Sequence, residues 1–264
     1  MEQLGQTKTT LFFLAFIVLF LMETLFPFYL GRKKQFSHDI RNLALGLTNA
    51  ILLAPLFRIA TLFVSQSAFA HEYGLLNRIT LSTPLATIAL FLLFVLLFDL
   101  WMYAWHRMNH HIPFLWRFHL VHHSDTAVSA STAVRFHVGE IFLSGIARLF
   151  IIFLLGLRAE QIILYEMILL PVIIFHHSNI NLSAKADQIM RILLVTPNLH
   201  RVHHSLLRDE MNTHYGSIFS FWDRIFKTIC LKQNTAEMEQ GVDSIAESES
   251  GRFLGMLLLP FSKK

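Results

Sequence analysis

The sequence predicts an all-α protein: a multi-pass membrane helix bundle, three spans plus a short helical hairpin, capped on one side by histidine-rich segments. Three observations carry this prediction. Of 264 residues, 54% are apolar and only 15% are charged, too greasy a balance for a disordered chain or an ordinary soluble domain. Three long apolar runs come first, and two shorter ones lie between polar stretches rich in histidine. Of the 15 histidines, twelve fall within residues 106–204. The single Cys230 excludes an intramolecular disulfide framework and any thiolate-rich metal site.

Residues 11–30 are apolar except for Met22-Glu23-Thr24, and at about 1.5 Å per residue they cross a hydrocarbon layer of roughly 30 Å. Only Lys8 is basic ahead of them, and no small-residue cleavage site precedes Gly31-Arg32-Lys33-Lys34, so the run reads as a retained anchor rather than a signal peptide. Residues 43–69 form a second span, whose Pro55 and Arg58 neighbouring helices must accommodate. Residues 81–105 form the third. Arg32, Lys33, Lys34 and Arg41 crowd the first connection while the second carries only Arg78, which places the first connection, and the exit of the third span, in the cytoplasm. Trp101, Tyr103, Trp105 and Trp116 mark that exit as interface aromatics do.

Residues 141–157 and 162–175 are apolar legs parted by Arg158-Ala159-Glu160. They are short for full spans, and a single crossing would put the two histidine-rich regions on opposite sides, so a hairpin dipping into the bilayer and returning is expected. Glu166 within it is an intramembrane acid, either functional or simply protonated. The chain thus divides into anchor helices (1–105), a histidine-box catalytic region with a membrane hairpin at 141–175 (106–230), and a polar linker with a short interfacial docking segment (231–264).

The histidines fall in boxes: HRMNHH (106–111), HLVHH (119–123) and HRVHH (200–204). Helix positions three and four apart share a face, so each box projects two or three imidazoles toward one point. Eight such rings would repel one another if protonated, and a metal holds them neutral and satisfied at once. One zinc needs at most four ligands, so two metals are implied; imidazole suits zinc, iron and copper alike.

Residues 99–228 resemble the fatty acid hydroxylase/sterol desaturase superfamily of membrane di-iron oxidoreductases, bacterial members most of all. The matching stretches are HRMNH (106–110), WRFHLVHHSD (116–125), RFHVGE (135–140), FHHSNI (175–180), TPNLHRVHHS (196–205) and YGSIFSFWDRIFKT (215–228). The resemblance implies that His106, His110, His119, His122, His123, His200, His203 and His204 ligate two irons, with His177 as a ninth ligand and His137 as a further one. His111 and His176 abut motif positions and read as solvated or backbone-bonded passengers. Two residues depart from the pattern: His214 stands where similar proteins have Asn, adding a ligand or altering what surrounds the ligands, and Lys227 replaces a Gly, altering a turn.

Asp99, two turns before His106, is a candidate to accept a ligand ring N–H and fix its tautomer, as are Glu140 and Asp223. Their alternatives are a helix-end charge, a first-turn acid and an Asp223–Arg224 surface pair. The resemblance implies an oxygenase that hydroxylates or desaturates a lipid (fatty acyl, sterol, sphingoid or carotenoid-like) with O2. Its electrons come from an external ferredoxin- or cytochrome-type donor with a reductase, because the chain carries no Gly-rich dinucleotide fingerprint. No nucleic-acid partner is expected. The expected setting is a bacterial inner membrane with the active site facing the cytoplasm. Three other classes compete. A zinc hydrolase lacks its HExxH here, a haem carrier needs axial histidines across a bundle interior, and a metal transporter needs ligands at mid-membrane.

Overall fold

Helices follow the apolar runs, because hydrocarbon forces every backbone N–H and C=O to find its partner within the segment. The computed structural model describes all residues except 32–34, 78, 80–82, 233–234, 246–249 and 263–264; Arg32, Lys33, Lys34 and Arg78, on which the orientation argument leans, lie outside the described residues. In chain order come α1 (Glu2–Leu25), α2 (Gln35–Ala70), α3 (Pro84–His111), α4 (Pro113–His123), α5 (Val138–Leu155) and α6 (Ala159–His177). All but α4 are long and apolar enough to cross a membrane. The described residues form no strand beyond isolated bridges. Phe13, Ile17 and Leu21 of α1, Ile59 and Phe63 of α2, and Ile88 and Leu92 of α3 stay exposed, as a lipid-facing surface must. Inside, Phe94 and Phe98 of α3 pack with Ile151, Ile152 and Leu155 of α5 and Tyr165 and Leu169 of α6.

The hairpin is deeper than the apolar count predicts. Its legs run 18 and 19 residues, about 27 and 29 Å of helix, because Val138-Gly139-Glu140, Ala159-Glu160-Gln161 and His176-His177 continue the helices beyond their greasy centres. Gly156, at φ +71, turns the chain at the tip, the left-handed cap that favours glycine. The tip meets the connection from α2 to α3: Leu75 N and Leu76 N donate to Leu154 O and Leu155 O, both at 3.0 Å. Both legs therefore cross the depth of α2 and α3 instead of dipping partway, and both histidine-rich regions still end on one side. Glu166 is neither isolated nor reserved for chemistry. It pairs with Lys8 at 2.8 Å and Arg148 at 2.7 Å.

Helix α2, at 36 residues, measures about 54 Å, so its first turns stand beyond the bilayer and hold the cap. His38 Nε2 lies 2.7 Å from Asp125 Oδ1, Asp39 accepts from Ser129 and Ser131, and Arg135 donates to Asn42 Oδ1, Val121 O and Ser124 Oγ. Glu23, the polar break in the first apolar run, accepts from Ala130 N and Asn179 N. The cap also contains a 3₁₀ turn (Ala130–Val134) and the short helices α7 (Ala184–Met190), α8 (Pro197–His203), α9 (Arg208–Met211) and α10 (Phe221–Ile225). A final helix, α11 (Phe253–Leu258), docks by Met256 against Leu45 and Val121.

Candidate metal centre

Pro113 ends one helix and opens the next. Helix α3 stops at His111 and α4 starts at Pro113, the helix position whose missing N–H costs nothing. This turn brings the HLVHH box back against His106 and His110, while α6 delivers His177 and α8 the third box. Two groups result. One holds His106, His110, His119, His123 and His203; the other holds His122, His177, His200 and His204. Within each group one potential ligand atom per residue lies within 4.8 Å of all the others. The boxes split by helical phase: His119 and His123 join the first group and His122 the second, whereas His200 and His204 join the second and His203 the first.

Six of the nine rings have their outward nitrogen tied down. His119 Nδ1 donates to Glu140 Oε1 at 2.7 Å, His106 Nδ1 to Tyr215 O at 3.1 Å, and His203 Nδ1 to Thr213 O at 2.6 Å. His110 Nδ1 donates to Asn212 Oδ1, His122 Nδ1 to Arg135 O and His177 Nδ1 to Ile173 O. A carbonyl only accepts, so the proton sits on Nδ1 in these rings and Nε2 presents a lone pair inward. Yet His122 Nε2 lies 3.1 Å from His177 Nε2, which is 2.9 Å from His200 Nε2, itself 3.2 Å from His204 Nε2. For His122 and His177 this sets two lone pairs face to face, which is repulsive unless a cation lies between them. Nitrogens each about 2.1 Å from one ion stand about 3.0–3.4 Å apart, as these do. In the first group Nε2 of His110, His119 and His203 and both nitrogens of His123 are buried without a hydrogen-bond partner. The residues thus fit two metal ions.

Burial and the neighbouring imidazoles hold His122, His123, His200, His203 and His204 well below the usual histidine range, so these rings are neutral and ready to ligate. Phe136 stacks on His122 at 4.4 Å, Trp116 leans on His110 and His123, and Tyr215 touches His106, His110 and His203. These rings wall the site.

The sequence-selected residues separate clearly. His106, His110, His119, His122, His123, His177, His200, His203 and His204 all enter a group. His137 does not: its Nδ1 accepts from Gly139 N, capping α5, and its Nε2 faces Leu257 O, so both nitrogens are spent away from the centre. His214 lies against the Cys230 backbone, and His111 Nε2 meets the Tyr215 hydroxyl. His176 is buried beside His200, ring centroids 4.1 Å apart, but belongs to neither group. Of the three carboxylates, Glu140 alone touches a grouped histidine. Asp99 instead accepts from Tyr165 Oη, Trp222 Nε1, Ile218 N and Phe219 N, fastening residues 218–222 to α3; its phase along the helix matched His106, but the loop's donors reach it first. Asp223 acts at one remove, accepting from Tyr215 N, Gly216 N and Thr228 Oγ1 and so fixing the loop whose carbonyl orients His106. Burial pushes the Asp223 carboxyl up to about 6 against these bonds, and no Asp223–Arg224 surface pair forms. The carbonyl acceptors of Arg135, Thr213 and Tyr215 escaped sequence reasoning because a backbone acceptor has no side-chain signature. Asp125 and Arg135 lie inside the quoted motifs and were legible as polar residues without a role.

A model of the fatty acid hydroxylase family matches residues 91–228, just over half of the chain. The chain is 26% identical over 262 residues to an ornithine lipid hydroxylase of Rhizobium tropici, covering 94% of this chain and 73% of that protein. It is 27% identical over 136 residues to cholesterol 25-hydroxylase of Homo sapiens, covering 51% of this chain and 49% of that one. Identity reaches 31% over 137 residues with alkylglycerol monooxygenase of Homo sapiens, covering 49% of this chain and 28% of that one. The chain thus spans about half or less of the last two relatives. No solved structure matches it. With the matched residues enclosing the paired histidine groups, the chain belongs to the fatty acid hydroxylase family.

Proposed function

We propose that this protein is a membrane-bound non-haem di-iron oxygenase that hydroxylates a lipid, with the nine grouped histidines as ligands and Glu140 holding His119. The observation that carries the reading is the facing of neutral imidazole lone pairs across about 3 Å at the end of a membrane helix bundle. Iron is favoured over zinc because an unactivated C–H bond offers nothing for an acid or base to grip, and a redox-active metal pair supplies the O2 activation that its cleavage requires. In the balanced reaction one oxygen atom enters the substrate C–H bond and the other leaves as water, with two electrons and two protons drawn from an external donor. Hydroxylation is favoured over desaturation by the names of the three relatives.

The chain's own part is orientation and exclusion. Carbonyls and Glu140 hold the His106, His119 and His122 rings with the proton outward; Tyr215, Trp116 and Phe136 keep bulk water from the ligands. Asp223 and Asp99 brace the loop that carries the Tyr215 carbonyl. The basic Arg32, Lys33, Lys34 and Arg41 favour a cytoplasmic site, and the bacterial relative favours an inner membrane. Residues 1–105 serve as anchor, 106–230 as the catalytic region and 231–264 as linker and docking segment. Purified protein loaded with ferrous iron, reductant and O2 is incubated with a lipid panel. Two irons per chain and a product heavier by about 16 Da, the mass of one oxygen, are expected. Metal-replete protein that consumes no O2 with any lipid refutes the proposal.

A further inference from the structure

The flank of α3 beside the histidines carries a groove. Leu100, Ala104 and Met108 follow one another along it, Phe226 closes its side, and Arg107 and His111 sit at its polar end around a cavity of about 410 Å³. Spacings of three and four residues keep these side chains on one stripe, and from Leu100 to His111 the helix advances about 17 Å. Leu100 lies in the apolar stretch of the span; Arg107 and His111 lie level with His106 and His110.

Two features say what fits. Arg107 is exposed and meets the Tyr103 hydroxyl, and among the described residues no carboxylate forms an ion pair with it. A guanidinium above an apolar trough matches an amphiphile with an anionic head, since its fork pairs with phosphate or carboxylate oxygens while the trough takes a chain. The groove also adjoins the metal centre. The Tyr215 hydroxyl is 3.2 Å from His111 Nε2, and the Tyr215 ring lies 5.2–5.9 Å from His106, His110 and His203.

We propose that this groove is the berth of the substrate, an acyl lipid with an anionic headgroup, head on Arg107 and His111 and chain along Leu100, Ala104 and Met108. The inference rests on the lipid-oxygenase reading and deepens it, because it brings the head-proximal end of the lipid, rather than the chain terminus, alongside the five-histidine group. An acidic redox protein is a poorer occupant: the trough beneath the single guanidinium is apolar.

The test is lipid retention by the full-length protein in detergent, read by native mass spectrometry with phosphatidylglycerol and phosphatidylcholine of identical chains. Wild type is expected to retain phosphatidylglycerol about fivefold over phosphatidylcholine, as suits one exposed ion pair. R107Q brings the ratio to parity, R107K restores it, and A104W, which fills the trough, reduces retention of both lipids. The inference is overturned if wild type shows no preference, if R107Q keeps it, or if sn-glycerol 3-phosphate, which has the anion without the chain, displaces the lipid at equal concentration. It is equally overturned if an acidic ferredoxin loses binding to R107Q while lipid preference stays unchanged. Retention needs neither metal nor turnover. An oxidised lipid product without headgroup preference therefore sinks the berth and spares the oxygenase, and headgroup preference with no lipid oxidised does the reverse.

Discussion

Glu140 offers the sharpest test of the centre. Its Oε1 accepts from His119 Nδ1 at 2.7 Å, with both residues at most 5% exposed, so little water competes for the bond. A hydrogen bond to a charged group in such surroundings is worth about 1.5–3 kcal/mol, and losing a partner that orients a metal-bound histidine costs about 10–100-fold in metal affinity. Those two figures agree, since about 1.4 kcal/mol is tenfold. Glu140→Gln keeps an acceptor and removes the charge; an affinity loss near tenfold is expected, confined to one of two ions. Glu140→Ala strands the His119 N–H in a buried site, and a loss nearer a hundredfold is expected, with a lower melting temperature. The assay is equilibrium competition with a chelator of known affinity on purified protein, counting ions per chain. Two ions held with unchanged affinity in Glu140→Ala would refute the assignment of His119 as a ligand braced by Glu140.

Four more outcomes follow from the geometry. His203→Ala and His200→Ala should each leave one ion per chain, the first emptying the five-histidine group and the second the four-histidine group; two ions retained by either variant contradicts the grouping. Asp99→Ala strands four donors and should cost at least about 3 kcal/mol of stability, seen as a large drop in melting temperature, whereas a variant that melts like wild type denies the loop-fastening role. Acidification should release metal. Because the folded pKa values of His122, His123, His200, His203 and His204 lie below the unfolded value, the folded site resists protons that the unfolded chain takes up, so stability is present above about pH 6.5 and lost as pH falls. Metal content by mass spectrometry after dialysis at pH 7.5 and 5.5 checks this, and full retention at the lower pH contradicts it. Lys227, at φ +56, occupies a left-handed position, so Lys227→Gly should relieve strain and raise stability by up to about 1 kcal/mol, read as a higher melting temperature; a fall would contradict it.

The sequence by itself determined the helices and the side of the membrane they share. Apolar runs long enough to span hydrocarbon have no other way to pair their backbone, and a hairpin between the boxes must return them to one face. Eight of the nine grouped histidines were also legible, because three- and four-residue spacing puts imidazoles on a common helical face whatever the tertiary structure; His177 stands in no such box and came only from the resemblance. What the tertiary structure alone decided is how those rings are shared out. Neighbours such as His122 and His123 stand about 100° apart on a helix, so one box must serve two points, and which ring goes to which depends on the approach of α3, α6 and α8. The same dependence explains His137, selected by its motif, and Asp99, selected by its spacing, whose polar atoms were claimed by nearer partners: a helix N–H for the histidine, four loop and side-chain donors for the carboxylate. Sequence periodicity fixes a direction around one helix; only packing fixes what stands in that direction.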